Sequence, residues 1–401
     1  MRRLLVGCVA AMAAGAVVSL AFGASEAAQG KWIVRDLGIR WSDWSADGTF
    51  LSTPHLEINA KGQILGEGRT VSGRRYTFLW RNGEAIRLPF AAGEPMPDAV
   101  ESGEGEFVGA PSFNDRGQVV GVVRRAGTES AVLWEDGKTR RVGAANGALI
   151  NNRGQVVAWS SDGLWLLWES GIVRARGRID SSVTWRVWDE QGAIVGINER
   201  GQIAGRALPG APDHSWLWRK GRTTDLGTPP PDDTYPARRF ATDLNERGQV
   251  VGFDIPGNVF LWQNGEAVRI PPGSKWRGES VTATDVSIND RGQIVGSYGG
   301  GWWLWEGARL RVADGNAWKV AINNRGQVVG LDGDAPAFIW ENGKVTRLPL
   351  LPGDSSGGAL ALNEREQIVG ISCTFNSPTG STHEGGTLLC RSVLWTRQPA
   401  K

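Results

Sequence analysis

Histidine, cysteine and paired carboxylates do most covalent and metal chemistry, and this 401-residue chain arranges few of them for it. Its three histidines, His55, His214 and His383, lie far apart. None has the spacing of a helical zinc site or of a Cys/His cluster. A Ser-His-Asp triad would need chance convergence in space. There is no nucleophile elbow, no phosphate-cradling Gly loop after a strand and no EF-hand. Asn114-Asp115-Arg116-Gly117 superficially resembles a calcium loop but lacks the alternating ligands and the distal Glu. The sequence therefore supports no catalytic residue, no metal ligand and no cofactor.

Aromatic residues in loops offer binding chemistry instead. Trp41 and Trp44 follow a strand near the chain start, Trp185 and Trp188 precede the fourth repeat described below, and Trp276 precedes the sixth. Tyr235 ends a stiff Pro229-Pro230-Pro231-Asp232-Asp233-Thr234 segment. Exposed indoles stack on sugar rings or anchor a partner protein; the plainer reading is that they pack loops onto the scaffold. An acidic stretch (Glu94, Asp98, Glu101, Glu104, Glu106) reads as solvated. Asp243 and Asp285, on first strands at the expected central channel, could line a polar funnel; the plainer reading is that they are solvated or turn-capping.

The elements that hold these residues follow from composition and repetition. The chain has 56 Gly, 20 Trp and 19 Pro. Gly weakens helix interiors, disordered chains are poor in aromatics, and collagen needs a Gly every third residue. A turn-rich all-β protein remains. One motif recurs eight times: apolar, Asn, two mostly polar residues, Gly-Gln, two mostly apolar residues, Gly. Its copies begin at Asn59, Asn114, Asn151, Asn198, Asn245, Asn289, Asn323 and Asn363. Glu366 replaces one Gly-Gln glycine, and Ala158 one final glycine. Repeats of this length made of short strands predict propeller blades.

Each copy carries four strand cues. In the seventh, Ala321-Ile322 ends a first strand, Asn323–Gly326 turns, Gln327–Gly330 forms a second, Ala337–Trp340 a third and Lys344–Leu348 a fourth. Asn-Gly at 82–83, 264–265 and 342–343, with Asp136-Gly137, fits two-residue type I′ hairpins. The third strand ends in Trp every time (Trp80, Trp134, Trp168, Trp218, Trp262, Trp305, Trp340, Trp395), which reads as packing between blades. The last repeat lacks a fourth strand, and Trp32–Gly38 looks like an orphan one. The expected architecture is an eight-bladed all-β propeller of four-stranded antiparallel blades, closed by the N-terminal strand pairing into the last blade. Short turns share one face of the disc; the variable loops share the other, where binding is expected.

Arg2 and Arg3, an uncharged run from Leu4 to Ala24 and small residues near Ala27 read as a signal peptide over residues 1–27. The run is long enough to serve as an uncleaved anchor, which is the rival reading. Residues 28–401 then form one domain. It keeps two cysteines, Cys373 and Cys390, which read as a disulfide in an exported protein, with free thiols as the alternative. Lys plus Arg is 44 and Asp plus Glu is 42, a net +2, which makes no electrostatic case for nucleic acid or an anionic membrane.

The pattern resembles the bacterial HAF-repeat extracellular proteins. Their repeats combine an Asn-x-x-Gly-Gln-Val-Val-Gly segment, a His-Ala-Phe-Leu-Trp segment and an Asp-Leu-Gly segment. Here the name-giving histidine survives only in His214–Trp218, and Asp-Leu-Gly at 36–38 and 225–227. The resemblance implies export and a propeller, and no activity. The reading is a secreted or periplasmic monomer that binds a protein or glycan partner without catalysis. The rivals are a hydrolase or lyase with carboxylates at the channel mouth, and a structural envelope component.

Overall fold

The structure is a computed structural model. It describes residues 17–19, 30–42, 55–69, 75–88, 107–125, 127–179, 194–206, 214–226, 239–254, 257–271, 275–276, 279–280, 285–298, 301–307, 309–314, 317–332, 336–376 and 387–398. Among them the regular structure is all strand. Around each motif, four strands pair antiparallel in chain order. In the Asn198 repeat these are Ile194–Ile197, Ile203–Gly205, Trp216–Arg219 and Arg222–Asp225. The Asn363 repeat takes its fourth strand from elsewhere. Ser356–Leu362, Ile368–Asn376 and Thr387–Arg397 are followed by Trp32–Ser42, paired antiparallel along the last of them.

The turn chemistry is as the sequence predicts. Asn82, Asp136, Ser170, Lys220, Asn264 and Asn342 all have positive φ, each followed by a positive-φ Gly. That is the type I′ hairpin, whose twist matches the flanking strands.

The core lies between repeats. The two residues that follow each Gly-Gln, from Ile64-Leu65 to Ile368-Val369, are fully buried in all eight repeats. Alternation points them to opposite faces of the sheet. The first lies opposite the third-strand Trp: Ile64 pairs with Trp80, Val250 with Trp262, Ile368 with Trp395. The second packs against the next repeat. Val120 joins a cluster with Val156 and Trp168, Ala204 joins Val250 and Trp262, and Val295 joins Val328 and Trp340. Val369, of the last repeat, joins Ile64 and Trp80, of the first. Burying each such side chain stabilises by about 1.5–3 kcal/mol, so these seams hold neighbouring sheets together. Trp218 and Trp305 are half-buried and the other six third-strand indoles are buried, in line with a packing role.

Two features of the last repeat bear on expectations. Cys373 and Cys390 are cross-strand neighbours and form a disulfide. The N-terminal strand runs further than the expected 32–38. A bulge between Asp36 and Arg40 lets it resume pairing, so Trp41 is the register partner of Cys390. Trp41 therefore belongs to a strand and not to the loop in which it was expected. Val17–Ser19, inside the expected signal segment, pairs parallel with Leu310–Val312.

In several repeats the final Gly of the motif faces a cross-strand aromatic, while at Gly252 and Gly370 a Cβ would meet the backbone of the first strand. Gly205 lies opposite Trp216, and a Cβ at Gly205 would sit 2.3 Å from the indole. Gly296 faces Trp303 in the same way. Where the opposite residue is Leu166, the position is Ala158. Gly205→Ala is expected to lower stability by about 1–3 kcal/mol through overpacking. Trp216→Leu in the same chain, copying Ala158 and Leu166, is expected to recover part of that loss. A double-mutant cycle of denaturant unfolding checks this; additive losses would contradict it.

Candidate functional site

The recurrent Asn-x-x-Gly-Gln turn joins the first and second strands of each repeat, and its Asn binds both its own turn and the next repeat. Asn59 shows the pattern. Its Oδ1 accepts from the amides of Lys61 (3.0 Å) and Gln63 (2.9 Å). Its Nδ2 donates to Gln63 Oε1 (2.8 Å) and to the carbonyl of Asn114 in the next repeat (3.0 Å). All four hydrogen-bonding positions of the amide are filled. Asp there would lack both donors.

The same link recurs from Asn114 to Asn151, then to Asn198, Asn245, Asn289, Asn323 and Asn363, at 2.8–3.2 Å. Asn363 Nδ2 then donates to the carbonyl of Asn59 at 2.9 Å, 304 residues away in sequence. The glycine of each turn lies against the Gln amide of the preceding repeat; a Cβ at Gly117 would meet Gln63 Nε2 at 3.1 Å. Glu366 fills this slot in the last repeat at a positive φ of 60°. Its carboxylate pairs with Arg325 at 2.6 Å.

Two further layers sit on the same turns. The residue after each Asn sends its side chain back to the preceding repeat. Asp115 Oδ1 accepts from Ala60 N, Asn152 Oδ1 from Asp115 N, and Glu199 Oε1 from Asn152 N. Glu246, Asp290, Asn324 and Glu364 continue the series. Ala60 has no side-chain oxygen, so the series stops at Glu364 N. Next to this break lies a cavity of about 370 Å3 whose lining includes Glu57, Ala60, Asp115, Ala361 and Glu364. The following residue is a cation in every repeat: Lys61, Arg116, Arg153, Arg200, Arg247, Arg291, Arg325 and Arg365, all exposed.

The residues singled out from sequence are distributed differently. Asp243 Oδ2 accepts from Ile288 N (2.9 Å), so it braces one first strand against the next. The side chain of Asp285 lies outside the described residues. His55 Nε2 is 3.2 Å from the Pro111 carbonyl and 3.4 Å from Glu57. His214 Nδ1 is 3.0 Å from the Asp225 carboxylate, which ties together the two segments that carry the family resemblance. Trp44, Trp185, Trp188, Tyr235, His383 and the acidic stretch 94–106 lie outside the described residues. So do the side chains of Trp41 and Trp276; the backbone of Trp276 pairs with Glu279 in a two-residue ladder. Among the described residues no group of His, Cys, Asp and Glu is placed to hold a metal ion, and no helix is long and apolar enough to cross a membrane. The layered turns went unnoticed in sequence, although one signal was available: Lys or Arg in the same slot eight times out of eight.

No protein-family model matches the sequence, and no curated protein matches it. Solved structures give loose matches. A Pyrococcus horikoshii acylaminoacyl peptidase matches with a TM-score of 0.46 and 10% identity, over 83% of this chain. The chain spans only 59% of that peptidase. YCF48 from Cyanidioschyzon merolae matches with a TM-score of 0.44 and 13% identity, over 74% of this chain and 97% of that one. Hsv2 from Kluyvelomyces marxianus matches with a TM-score of 0.41 and 8% identity, over 82% and 95%. The fold assignment rests on the strand pairings described above.

The carboxylate layer has an electrostatic consequence. Glu246 has a raised pKa, first because burial disfavours its charge; the hydrogen bond from Glu199 N opposes that shift, and the Glu199 and Asp290 carboxylates add to it. A carboxyl whose folded pKa exceeds its unfolded value favours folding when protonated, and that contribution is lost as pH rises through the folded pKa. Glu246→Gln keeps an acceptor for Glu199 N and removes the charge. It is expected to raise stability at pH 7 by less than about 1 kcal/mol, since solvent screens a partly exposed group. The gain should shrink as pH falls below the pKa of Glu246. Unfolding at pH 7 and pH 4 checks this; a variant less stable at pH 7 would contradict it.

Proposed function

We propose that this protein is an exported, non-catalytic, eight-bladed β-propeller of the HAF-repeat type. In this reading the N-terminal strand closes the ring and a protein or glycan partner binds the loops opposite the Asn turns. The observation that carries it is the hydrogen-bond circuit that leaves Asn59 and returns to it from Asn363. The apolar seam between Val369 and Ile64 supports closure in the same place. A scaffold whose recurrent polar groups bind one another is rigid, and rigid scaffolds present variable loops for recognition. In the sequence reading those loops hold Trp44, Trp185, Trp188 and Tyr235, and the backbones of Trp41 and Trp276 lie in strand pairings. Export draws support from the Arg2-Arg3 leader and from the Cys373–Cys390 disulfide, a bond that persists in oxidising compartments.

One observation favours a second reading, a hydrolase or lyase at the axis. The cavity beside Ala60 is lined by Glu57, Asp115 and Glu364, among other residues. Asp115 and Glu364 each accept a backbone amide there, which fits bracing as well as chemistry.

The test uses the mature protein against a glycan array and an envelope-protein extract. Saturable capture is expected, weakened at least tenfold by Trp185→Ala with Trp188→Ala and unchanged by Glu57→Gln with Asp115→Asn. Turnover of a captured glycan or peptide, abolished by the carboxylate variants, would replace this reading with the second one. N-terminal sequencing of the exported protein is expected to start near residue 28.

A further inference from the structure

The cationic slot is exposed in all eight repeats, yet the fold asks little of its side chains. Arg325 pairs with Glu366. Arg153, Arg247 and Arg365 reach carbonyls of the next repeat only at 3.4–3.5 Å. No side-chain hydrogen bond or ion pair to a described residue is found for Lys61, Arg116 or Arg291, and Arg200 is only attracted electrostatically to Glu246. A polar residue of any kind would satisfy the turn, whose bonds run through the backbone amide of this residue and through the Asn and Gln side chains. Retention of Lys or Arg at every copy therefore points outward.

The neighbouring carboxylates do not cancel the ring. Asp115, Glu199, Glu246, Asp290 and Glu364 are half-buried, each accepting a backbone amide of the preceding repeat. Glu366, in the glycine slot of the last turn, adds a sixth carboxylate, so eight cations less six carboxylates leaves +2 on these turns. Net charge is a sum over the chain, and the fold sorts its members by face.

We propose that the face bearing the Asn turns docks on an anionic lipid surface, with Lys61, Arg116, Arg153, Arg200, Arg247, Arg291, Arg325 and Arg365 as its contact ring. The shape argues for a membrane over a polyanionic chain. Equivalent turns are tied Asn to Asn at 2.8–3.2 Å, so their tips share one plane. A flat ring of charges matches a flat sheet of headgroups, and each cation near such a surface adds about fivefold in affinity. The opposite face is then turned away from the membrane, with its variable loops free for the partner proposed above. The inference uses the closed-ring reading but is independent of what those loops bind.

Vesicle sedimentation of the mature protein tests it. The probes are phosphatidylcholine vesicles with and without roughly one-third phosphatidylglycerol, at low salt. Binding is expected only to the anionic vesicles and should be released by about 0.5 M NaCl. Lys61→Gln, Arg116→Gln, Arg200→Gln and Arg291→Gln together should weaken it about a hundredfold or more. A control carrying Arg125→Gln, Arg140→Gln, Arg176→Gln and Arg178→Gln, all exposed away from these turns, should bind as the parent does. Circular dichroism and melting confirm that both variants fold. No binding by the parent, equal binding to neutral vesicles, or equal loss in both variants would overturn the proposal. So would competition by a soluble sulfated polysaccharide with no vesicle binding, which would assign the ring to a polyanionic chain. Failure of the partner capture described above leaves these outcomes unaffected.

Discussion

A single hydrogen bond, from the side-chain amide of one repeat's Asn to the backbone carbonyl of the next repeat's Asn, sets the rest of the molecule. A buried carbonyl without a donor costs free energy comparable to a lost hydrogen bond. Each Asn supplies that donor to its neighbour while folding its own turn. It is buried to within 7% exposure in every repeat, so none of its bonds can be exchanged for water. The repeat therefore does not finish itself. Its turn is complete only when another copy stands beside it, and the series is complete only when Asn363 meets Asn59.

The apolar seams obey the same logic. A second strand with two fully buried residues side by side needs a sheet on each face. Val156 faces the preceding repeat through Val120, while Val157 faces the following one through Ile203. Polar and apolar contacts thus join the same neighbours in the same order. The Trp at the end of the third strand fills the space between them, and in the Asn198 and Asn289 repeats the final Gly leaves room for the Trp opposite it. Separations between successive motifs range from 34 to 55 residues because these contacts constrain the strands and the Asn turns, and leave the connecting loops free to vary.

Local chemistry and the packing role of the third-strand Trp were legible in the sequence, and the polar contacts between repeats were not. Asn-Gly and Asp-Gly announce type I′ hairpins because few residues tolerate positive φ, and the backbone adopts it at Asn82, Asp136, Asn264 and Asn342. The orphan strand at Trp32 was visible as a surplus that the Asn363 repeat lacked. The link from Asn59 to Asn114 left no trace, since nothing in a sequence marks which distant carbonyl a side chain reaches. Asp243 caps the adjacent Leu244 amide, as a local reading allows, but its second acceptor role depends on Ile288 in the next repeat. The bulge after Asp36, which carries Trp41 into the strand, depends on pairing with Thr387–Arg397 and not on local residues alone. The cationic slot was printed eight times in the sequence, but only the structure shows that its side chains are exposed in every repeat.

Closure of the ring is tested most directly by distance. Spin labels at Lys61→Cys and Arg365→Cys report on the first and last turns, and labels at Arg200→Cys and Arg247→Cys report on two turns that are neighbours by chain order. A ring closed from Asn363 to Asn59 predicts the same dipolar broadening for both pairs. Broadening in the second pair and none in the first would show that the first and last repeats stand apart, and would contradict the account.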